Sequence, residues 1–463
     1  MAALSAALAF TFPATAAEVS LDEAIEAAVA HSPMVRVKDA AVDLAKADRI
    51  RGKAQLRPVL QLTADIKVWD KAQEVSFGGG GGDAIALPAP TTPYEAALAG
   101  LLSGFSSPTR IQDQVTGSVG VSIMQPLTDL ISTRSTREGL ALGLDAAESG
   151  RAEAARQAAV EAVGAWLRLH LMIAMEASAQ QSVGEFAPRI QQLEALVQGG
   201  VALKSDLLRL QVAQAAAAQD LIAAQTHVKL ARTMLATVMG LSAAEATALE
   251  PAPVDVGSCQ AETAQLDALL DRALATRPEL QSARATGRQA ELGVDLAKAR
   301  MWPSVSAIAA YTHLEGQGLA VKDSAFIGLN LRWNVFEWGA THSGIAAARA
   351  RSRQAAEQVA ALTDSLRLQI EQARQDLHAT AEVQGVAALA ESLAAESLRL
   401  DSARYEAGDA TATDVVTAEA ALHKARDQRV ASGYRCLLAR ATLRAAVGDT
   451  LSASTLLSDG GPK

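Results

Sequence analysis

The sequence predicts an α+β membrane protein built from two copies of one structural unit, each with two β-strands and a long helical hairpin. Three observations support this fold class: an internal sequence repeat, four segments of alternating apolar and polar residues, and two long helical stretches. The composition agrees, because the chain is 49% hydrophobic but only 3% aromatic. Much of the apolar content is alanine, which favours closely packed helices.

The internal repeat is defined by constant offsets between similar segments. LDEAIEAAVAHSP begins at Leu21 and LDALLDRALATRP at Leu266, and this offset of 245 residues persists to Pro58 and Pro303. From about residue 120 the offset is 208 residues, so the first copy is longer by 37 (245 − 208). The additional residues include FGGGGGDAIALPAPTTP, which has loop composition. We assign residues 18–265 to the first structural repeat and residues 266–463 to the second.

Four segments alternate with a period of two and have the length of a membrane-spanning strand, about 10 residues. We predict strands at about residues 59–68, 117–125, 304–312 and 326–335. A soluble β-sandwich would show the same alternation, but aromatic residues near the strand ends are typical of membrane interfaces. These aromatic residues are Trp69, Trp302, Tyr311, Trp333, Phe336 and Trp338.

Two stretches, at about residues 129–197 and 339–406, have helical periodicity and contain no proline except Pro188. A helix of about 67 residues would be about 100 Å long, which is typical of coiled coils and helical tubes. Gly200 and Gly408 follow these stretches, so we expect hairpin tips near residues 200 and 408.

The helix after the second tip has a recognisable start. Thr411 and Asp414 fit a capping box, whereas Leu203 stands at the equivalent position of the first tip. Four strands cannot close a barrel, and an open sheet edge is unstable in lipid, so the chain is expected to oligomerise. Two, three or four copies would all give barrels of a known size.

The N-terminus resembles the end of a secretory signal peptide, which we assign to residues 1–17. An apolar run from Ala2 to Phe12 precedes Pro13 and several alanines; a short buried helix is the alternative. No later apolar run of about 18 residues is free of charges, so no transmembrane helix is expected.

Several classes of function are not expected. A net charge of −9 argues against a nucleic-acid partner. The chain has no Walker loop, no dinucleotide fingerprint and no Ser-His-Asp order, so we predict no catalytic site and no cofactor. None of the seven histidines is expected to pair with cysteine or glutamate at a metal-binding spacing, so no metal site is predicted. Whether Cys259 and Cys436 form a disulfide is left open.

Five segments together resemble the TolC family of outer-membrane efflux channels, over nearly the whole chain after residue 17. They are LDEAIEAAVAHSP, KAQLRPVLQL, GVSIMQPL, LNLRWNVFEWG and RYEAGDATATDVVTAEAALHKAR. The resemblance implies a homotrimer with a twelve-stranded β-barrel in the outer membrane, four strands per chain, continued by a long α-helical barrel through the periplasm. It also implies a passive exit duct in a tripartite efflux or type I secretion system.

The resemblance further implies partners: a periplasmic adaptor, a proton-driven or ABC inner-membrane pump, and outer-membrane lipid. The alternative is a periplasmic coiled-coil adaptor or scaffold, but adaptors carry one hairpin rather than two.

The insertion between about Trp69 and Val115 is expected outside the cell, with a short helix from Tyr94.

The resemblance also implies roles for individual residues at the hairpin tips. The pore tip and gate would comprise Asp206, Asp414, Tyr405, Ser205 and Thr413, and the adaptor contact would comprise Gly199, Gly200, Val201 and Gly408. Tyr405 would hydrogen-bond Asp206, and Asp414 would form a ring that narrows the pore. Two positions depart from the family pattern, because Ala410 replaces a gating arginine and Thr417 replaces a second ring aspartate.

Overall fold

The computed structural model describes residues 18–55, 57–75, 92–106, 109–200, 203–254, 264–318 and 321–457. The expected signal peptide, the glycine run of the insertion, Val201 and Cys259 lie outside these residues.

The secondary structure follows the order expected from the repeat. The helices are α1 (Leu21–His31), α2 (Pro33–Ala54), α3 (Pro93–Ser106), α4 (Asp129–Gln198), α5 (Lys204–Met239), α6 (Ala243–Thr247), α7 (Leu266–Thr276), α8 (Pro278–Ala299), α9 (Ala340–Glu406), α10 (Ala412–Val447) and α11 (Ala453–Leu457). The strands are β1 (Glu18–Val19), β2 (Val59–Val68), β3 (Gln73–Val75), β4 (Thr109–Gln112), β5 (Val115–Pro126), β6 (Glu250–Pro251), β7 (Ser304–Glu315) and β8 (Asp323–Arg332).

Three pairs of equivalent helices have equal lengths, and α4 (70 residues) is close in length to its equivalent α9 (67 residues). α1 and α7 both have 11 residues, α2 and α8 both have 22, and α5 and α10 both have 36. The short helix expected from Tyr94 is part of α3.

Strands β2, β5, β7 and β8 form one antiparallel sheet in that order. β2 has the predicted bounds, and β5 and β7 extend beyond theirs. The prediction for β8 was wrong at both ends, because the strand covers 323–332 rather than 326–335. Its last residue, Arg332, pairs with Ser304, and the residue before Ser304 is Pro303, which has no N–H to continue the ladder.

The register places most of the large apolar residues of the four strands on one face; Val59, Met124, Ile308 and Phe326 lie on the other. Leu62 lies opposite Val121, which lies opposite Tyr311, which lies opposite Ala325. This face is uncovered in the single chain: Leu62 is 71% exposed and Ile327 is 89% exposed. Such a continuous exposed apolar surface is rare on soluble monomers and indicates contact with a membrane or another protein.

Contacts divide the chain into two units. The first contains residues up to Ala45, Gly143–Gly287 and the chain from Arg353 onward; the second contains Lys46–Leu142 and Arg288–Ser352. The second unit includes the four-stranded sheet, and the first includes both hairpin tips.

The main core of the first unit joins the N-terminal strand to helices α4 and α5. Trp166, Leu235 and Met239 are almost fully buried there. The indole Nε1 of Trp166 donates to the Val19 carbonyl (3.1 Å), which fixes β1 on the helices. A second core lies between α7, α9 and α10 and includes Cys436, which is disulfide-bonded.

The last carbonyl groups of α10 accept hydrogen bonds from an arginine of α4 and from one between α7 and α8. Arg277, 3% exposed, donates Nη1 to the carbonyls of Ala445 (3.0 Å) and Ala446 (2.9 Å). Arg156 also donates to the Ala445 carbonyl (3.1 Å). Positive side chains suit this position, because the last carbonyls of a helix lack partners within it.

Among the described residues, one segment of α4, Arg134–Gln198, is long and apolar enough to cross a membrane by length and composition. The sequence predicts no transmembrane helix on the narrower ground that no apolar run of about 18 residues is free of charges. Ala162, Val163 and Trp166 of this segment are buried in the protein. Because a core helix meets the same criterion, we assign the segment to the core.

Leu235→Ala should lower the free energy of unfolding by about 2–5 kcal/mol, because Leu235 is fully buried and truncation leaves a cavity. Thr233→Ala on the same helix is the matched control, since the Thr233 hydroxyl bonds only its own helix (3.0 Å to the Lys229 carbonyl). Urea unfolding of both variants, followed by tryptophan fluorescence, measures the difference. Equal midpoints for the two variants would contradict the assignment of Leu235 to the core.

Candidate gate at the hairpin tips

Both hairpin tips turn at glycines in the left-handed conformation. Gly200 (φ 72°) follows α4, and Gly408 (φ 84°) follows α9. At the second tip the Gly408 N–H donates to the Tyr405 carbonyl (3.1 Å), and the Asp409 N–H donates to the Arg404 carbonyl (2.8 Å). These bonds satisfy the end of α9, and glycine permits the turn because it has no Cβ.

The helix after the second tip begins with the expected capping box. Thr411 Oγ1 accepts from the Asp414 N–H (3.4 Å), and Asp414 Oδ2 accepts from the Thr411 N–H (2.8 Å) and hydroxyl (2.8 Å). The hydrogen bonds from the Thr411 backbone and side chain keep the pKa of the exposed Asp414 carboxyl below its ordinary value. Leu203, at the equivalent position of the first tip, makes no side-chain cap bond.

A side chain of the first hairpin reaches the second hairpin beside the tips. Arg209 on α5 donates Nη1 to Thr413 Oγ1 on α10 (2.7 Å), and we call this bond the tip link. The same guanidinium lies 4.0 Å from the Asp206 carboxylate one turn earlier. Arg209 was not among the residues expected at the tip, because the family pattern has its arginine at the position of Ala410. Arg209 and Thr413 are 204 positions apart in the sequence, so their contact exists only in the folded chain.

Tyr405 is half-buried and packs against apolar residues of both hairpins, including Leu210 and Leu422. Burial, and then the charge of Asp206, raise the pKa of its hydroxyl. Among the described residues no hydrogen bond joins Tyr405 to Asp206, so that expectation does not hold within this chain. The ion-pair partner of Asp206 is instead the cationic Arg209 on its own helix.

The remaining residues expected at the tip lie at its surface. Ser205 and Thr413 are exposed in the first turns of α5 and α10. The glycines expected to contact an adaptor are exposed as well: Gly199, Gly200 and Gly408. Thr417 stands where the family has a ring aspartate. Its hydroxyl donates to the Thr413 carbonyl (2.8 Å), so this side chain makes a hydrogen bond within α10.

The aromatic residues expected at membrane interfaces lie near the four-stranded sheet and are all at least 40% exposed. Near the end where β7 begins and β8 ends lie Trp302, Trp333, Phe336 and Trp338. Trp69 follows β2 at the other end, where its Nε1 donates to Thr116 Oγ1 (3.0 Å). Tyr311 lies within β7 and donates its hydroxyl to Asp323 (2.6 Å). Aromatic side chains thus mark both ends of the apolar face.

A group of charged residues between α4 and α10, of which Glu419 is fully buried and the others are half-buried, was not expected from the sequence. The buried polar cluster, as we name it, comprises Glu185, Arg189, Glu419, His423, Arg426 and Asp427. Glu419 and His423 are four residues apart on α10, which places them on one helix face. This spacing was the available signal, so the statement that no histidine pairs with glutamate at a metal-binding spacing was wrong.

Burial dominates the electrostatics of this cluster. Glu419 is fully buried, and desolvation raises the pKa of its carboxyl although Arg189 lowers it. Desolvation lowers the pKa of the His423 imidazole, although the charge of Glu185 opposes this. Both shifts favour the neutral forms, the carboxylic acid of Glu419 and the neutral imidazole of His423.

Comparisons with known proteins agree with this geometry. Residues 269–449 match the family described as outer membrane efflux protein. The outer membrane protein VceC of Vibrio cholerae has 18% sequence identity, covering 93% of this chain and 96% of that chain, with a TM-score of 0.74. A search of curated proteins finds no significant match.

Two further solved structures share the fold. The Campylobacter jejuni CmeC outer membrane channel has 14% identity over 92% of this chain and 85% of that chain, with a TM-score of 0.73. The open state of the Neisseria gonorrhoeae MtrE outer membrane channel has 17% identity over 93% of this chain and 89% of that chain, with a TM-score of 0.68. At these identities the structural similarity is evidence of the fold alone.

Thr411→Ala should increase hydrogen exchange at the amides of the first turn of α10, because the side-chain cap of the Asp414 N–H is lost. A cost of about 1 kcal/mol corresponds to about fivefold faster exchange. Leu203→Ala is the matched control, since Leu203 provides no such cap. Hydrogen exchange with mass spectrometry measures both; unchanged exchange in Thr411→Ala would show that the cap does not hold this turn.

Proposed function

We propose that this chain is a TolC-like outer-membrane efflux channel and acts as the passive exit duct of a tripartite efflux or type I secretion system. The family match and the fold indicate an outer-membrane protein that extends into the periplasm and fit a non-enzymatic role. The trimer, the twelve-stranded barrel, the adaptor and the pump are parts of the proposal.

The observation that carries the proposal is the sheet with one exposed apolar face and two edge strands. Leu60, Leu62 and Ile66 of β2 are 68–80% exposed, and the opposite face carries Thr63 and Asp65. A sheet that is apolar on one side and polar on the other suits a barrel wall between lipid and a water-filled lumen. Three chains with four strands each would give twelve strands.

The tips would form the gate of this duct. The tip link supplies, from Arg209 on α5, a connection between hairpins that Ala410 cannot make. Asp414 would add one ionised carboxylate per chain at the start of α10, where three copies would attract cations near a common axis. An adaptor would bind the exposed glycines of the turns and displace the hairpins.

The proposed function is tested by inserting the purified protein into planar bilayers and by deleting the gene. We expect discrete conductance steps, together with accumulation of an exported compound or protein inside the deletion strain. An adaptor or scaffold would give no channels and would be removed from outer membranes by salt washing. Absence of conductance from correctly assembled protein would contradict the proposal.

Arg209→Ala should raise the open probability of the channel, because it removes the tip link. The link is worth about 0.5–1 kcal/mol per chain, since Arg209 is exposed, which corresponds to a two- to fivefold effect for each link. If opening breaks all three links of a trimer, these factors multiply. Tyr405→Phe should change the open probability less, because no hydrogen bond joins Tyr405 to Asp206 in the described chain.

The matched control is Arg399→Ala, which removes an exposed arginine paired only along its own helix with Glu396 (2.6 Å). Single-channel recordings compare all three variants. An open probability in Arg209→Ala equal to that of Arg399→Ala would exclude the tip link from gating.

Asp414→Asn should reduce cation selectivity and block by multivalent cations, because it removes the carboxylate charge. Asparagine retains an oxygen that can accept the Thr411 N–H, so the cap is largely kept. Asp409→Asn removes the same charge from the turn and is the control. Reversal potentials in asymmetric salt measure selectivity. Equal changes in both variants would show a general surface-charge effect rather than an Asp414 ring.

A further inference from the structure

We infer that Glu185, Glu419 and His423 form a binding site for a divalent transition-metal ion between α4 and α10. Each residue can offer one ligand atom, and these three atoms all lie within 4.8 Å of one another. Two carboxylate oxygens and one imidazole nitrogen can occupy one side of a metal ion and leave its other positions for water. The inference does not depend on the channel function.

The unsatisfied polar atoms of the cluster support this site independently of the spacing. Among the described residues, Oε1 of the fully buried Glu419 has no hydrogen-bond partner, and neither has Nδ1 or Nε2 of His423. Buried polar atoms without partners are costly and rare in native proteins. A metal ion with its bound water would satisfy these atoms.

The two arginines orient the carboxylates without using all their oxygens. Arg189 binds Oε2 of Glu419 and leaves Oε1 free. Arg426 donates Nη1 to Oε1 of Glu185 (3.0 Å), while Oε2 of Glu185 lies 3.5 Å from Nε2 of His423. Each carboxylate therefore has one oxygen fixed by a cation and another available. Such outer partners hold metal ligands in position in known sites.

The charge of the cluster leaves room for a cation. Three carboxyl groups, including that of Asp427, face two guanidinium groups, so the cluster is net negative when a bound metal ion holds Glu419 as the carboxylate. The Asp427 carboxylate is itself held in place, because the Ser178 hydroxyl donates to it (2.8 Å). A bound dication would offset the remaining negative charge.

The donor set and the surroundings indicate the class of metal. One imidazole with two carboxylates suits Zn²⁺, Co²⁺ or Mn²⁺ better than Ca²⁺, which prefers six to eight oxygen ligands. His423 also lines a cavity of about 1000 Å³, together with Asp427 and Lys424. This cavity gives an ion and its water a path to His423, the half-buried ligand that lines it.

The test uses the assembled full-length protein after treatment with a chelator. Titration with Zn²⁺ by calorimetry should show one site per chain, and Co²⁺ should give a visible absorption band. Ca²⁺ should bind at least tenfold more weakly. His423→Ala and the isosteric Glu185→Gln should each weaken Zn²⁺ binding at least tenfold and remove the band.

The matched control is His378→Ala. His378 lies 3.5 Å from Glu382 at the same four-residue spacing, but this pair is exposed on α9, and among the described residues no third carboxylate joins it. Circular dichroism and chain stoichiometry confirm that each variant is folded. No Zn²⁺ binding to the original protein, or equal binding in the His423 and His378 variants, would overturn the inference and identify the cluster as an ion-pair network only.

Discussion

Backbone hydrogen bonding at the edges of the β2-β5-β7-β8 sheet is the constraint on which the proposed architecture depends. Each edge strand has 10 residues and a neighbour on one side only in the described sheet. About five N–H and five C=O groups per edge would face lipid without partners, each at a cost of several kcal/mol. Pairing between the edge strands of neighbouring copies would remove this cost. The repeat supplies the four strands, their apolar face places them in lipid, and the need to pair their edges in lipid explains oligomerisation.

The local features of the fold were predictable from the sequence because they depend on neighbouring residues. Alternation located β2, and the spacing of Thr411 and Asp414 identified a real capping box. The end of β8 was missed because it depends on its partner strand, where Pro303 cannot donate a hydrogen bond.

Contacts between distant helices were not predictable in the same way. The tip link joins Arg209 to Thr413, and the buried polar cluster joins Glu185 to His423; neither pair has a fixed spacing in sequence. Family resemblance directed attention to Ala410 and Tyr405 instead. In the described chain a basic side chain links the hairpins from another helix, while Tyr405 contributes packing.

The central claim is that further copies of this chain complete the sheet, and its most direct test is native mass spectrometry of the detergent-solubilised protein. The account predicts a single species of three chains. It also predicts that cysteines placed at the edges, one in β2 and one in β8, will crosslink between chains. A stable monomer with an intact sheet, or crosslinks only within one chain, would contradict it.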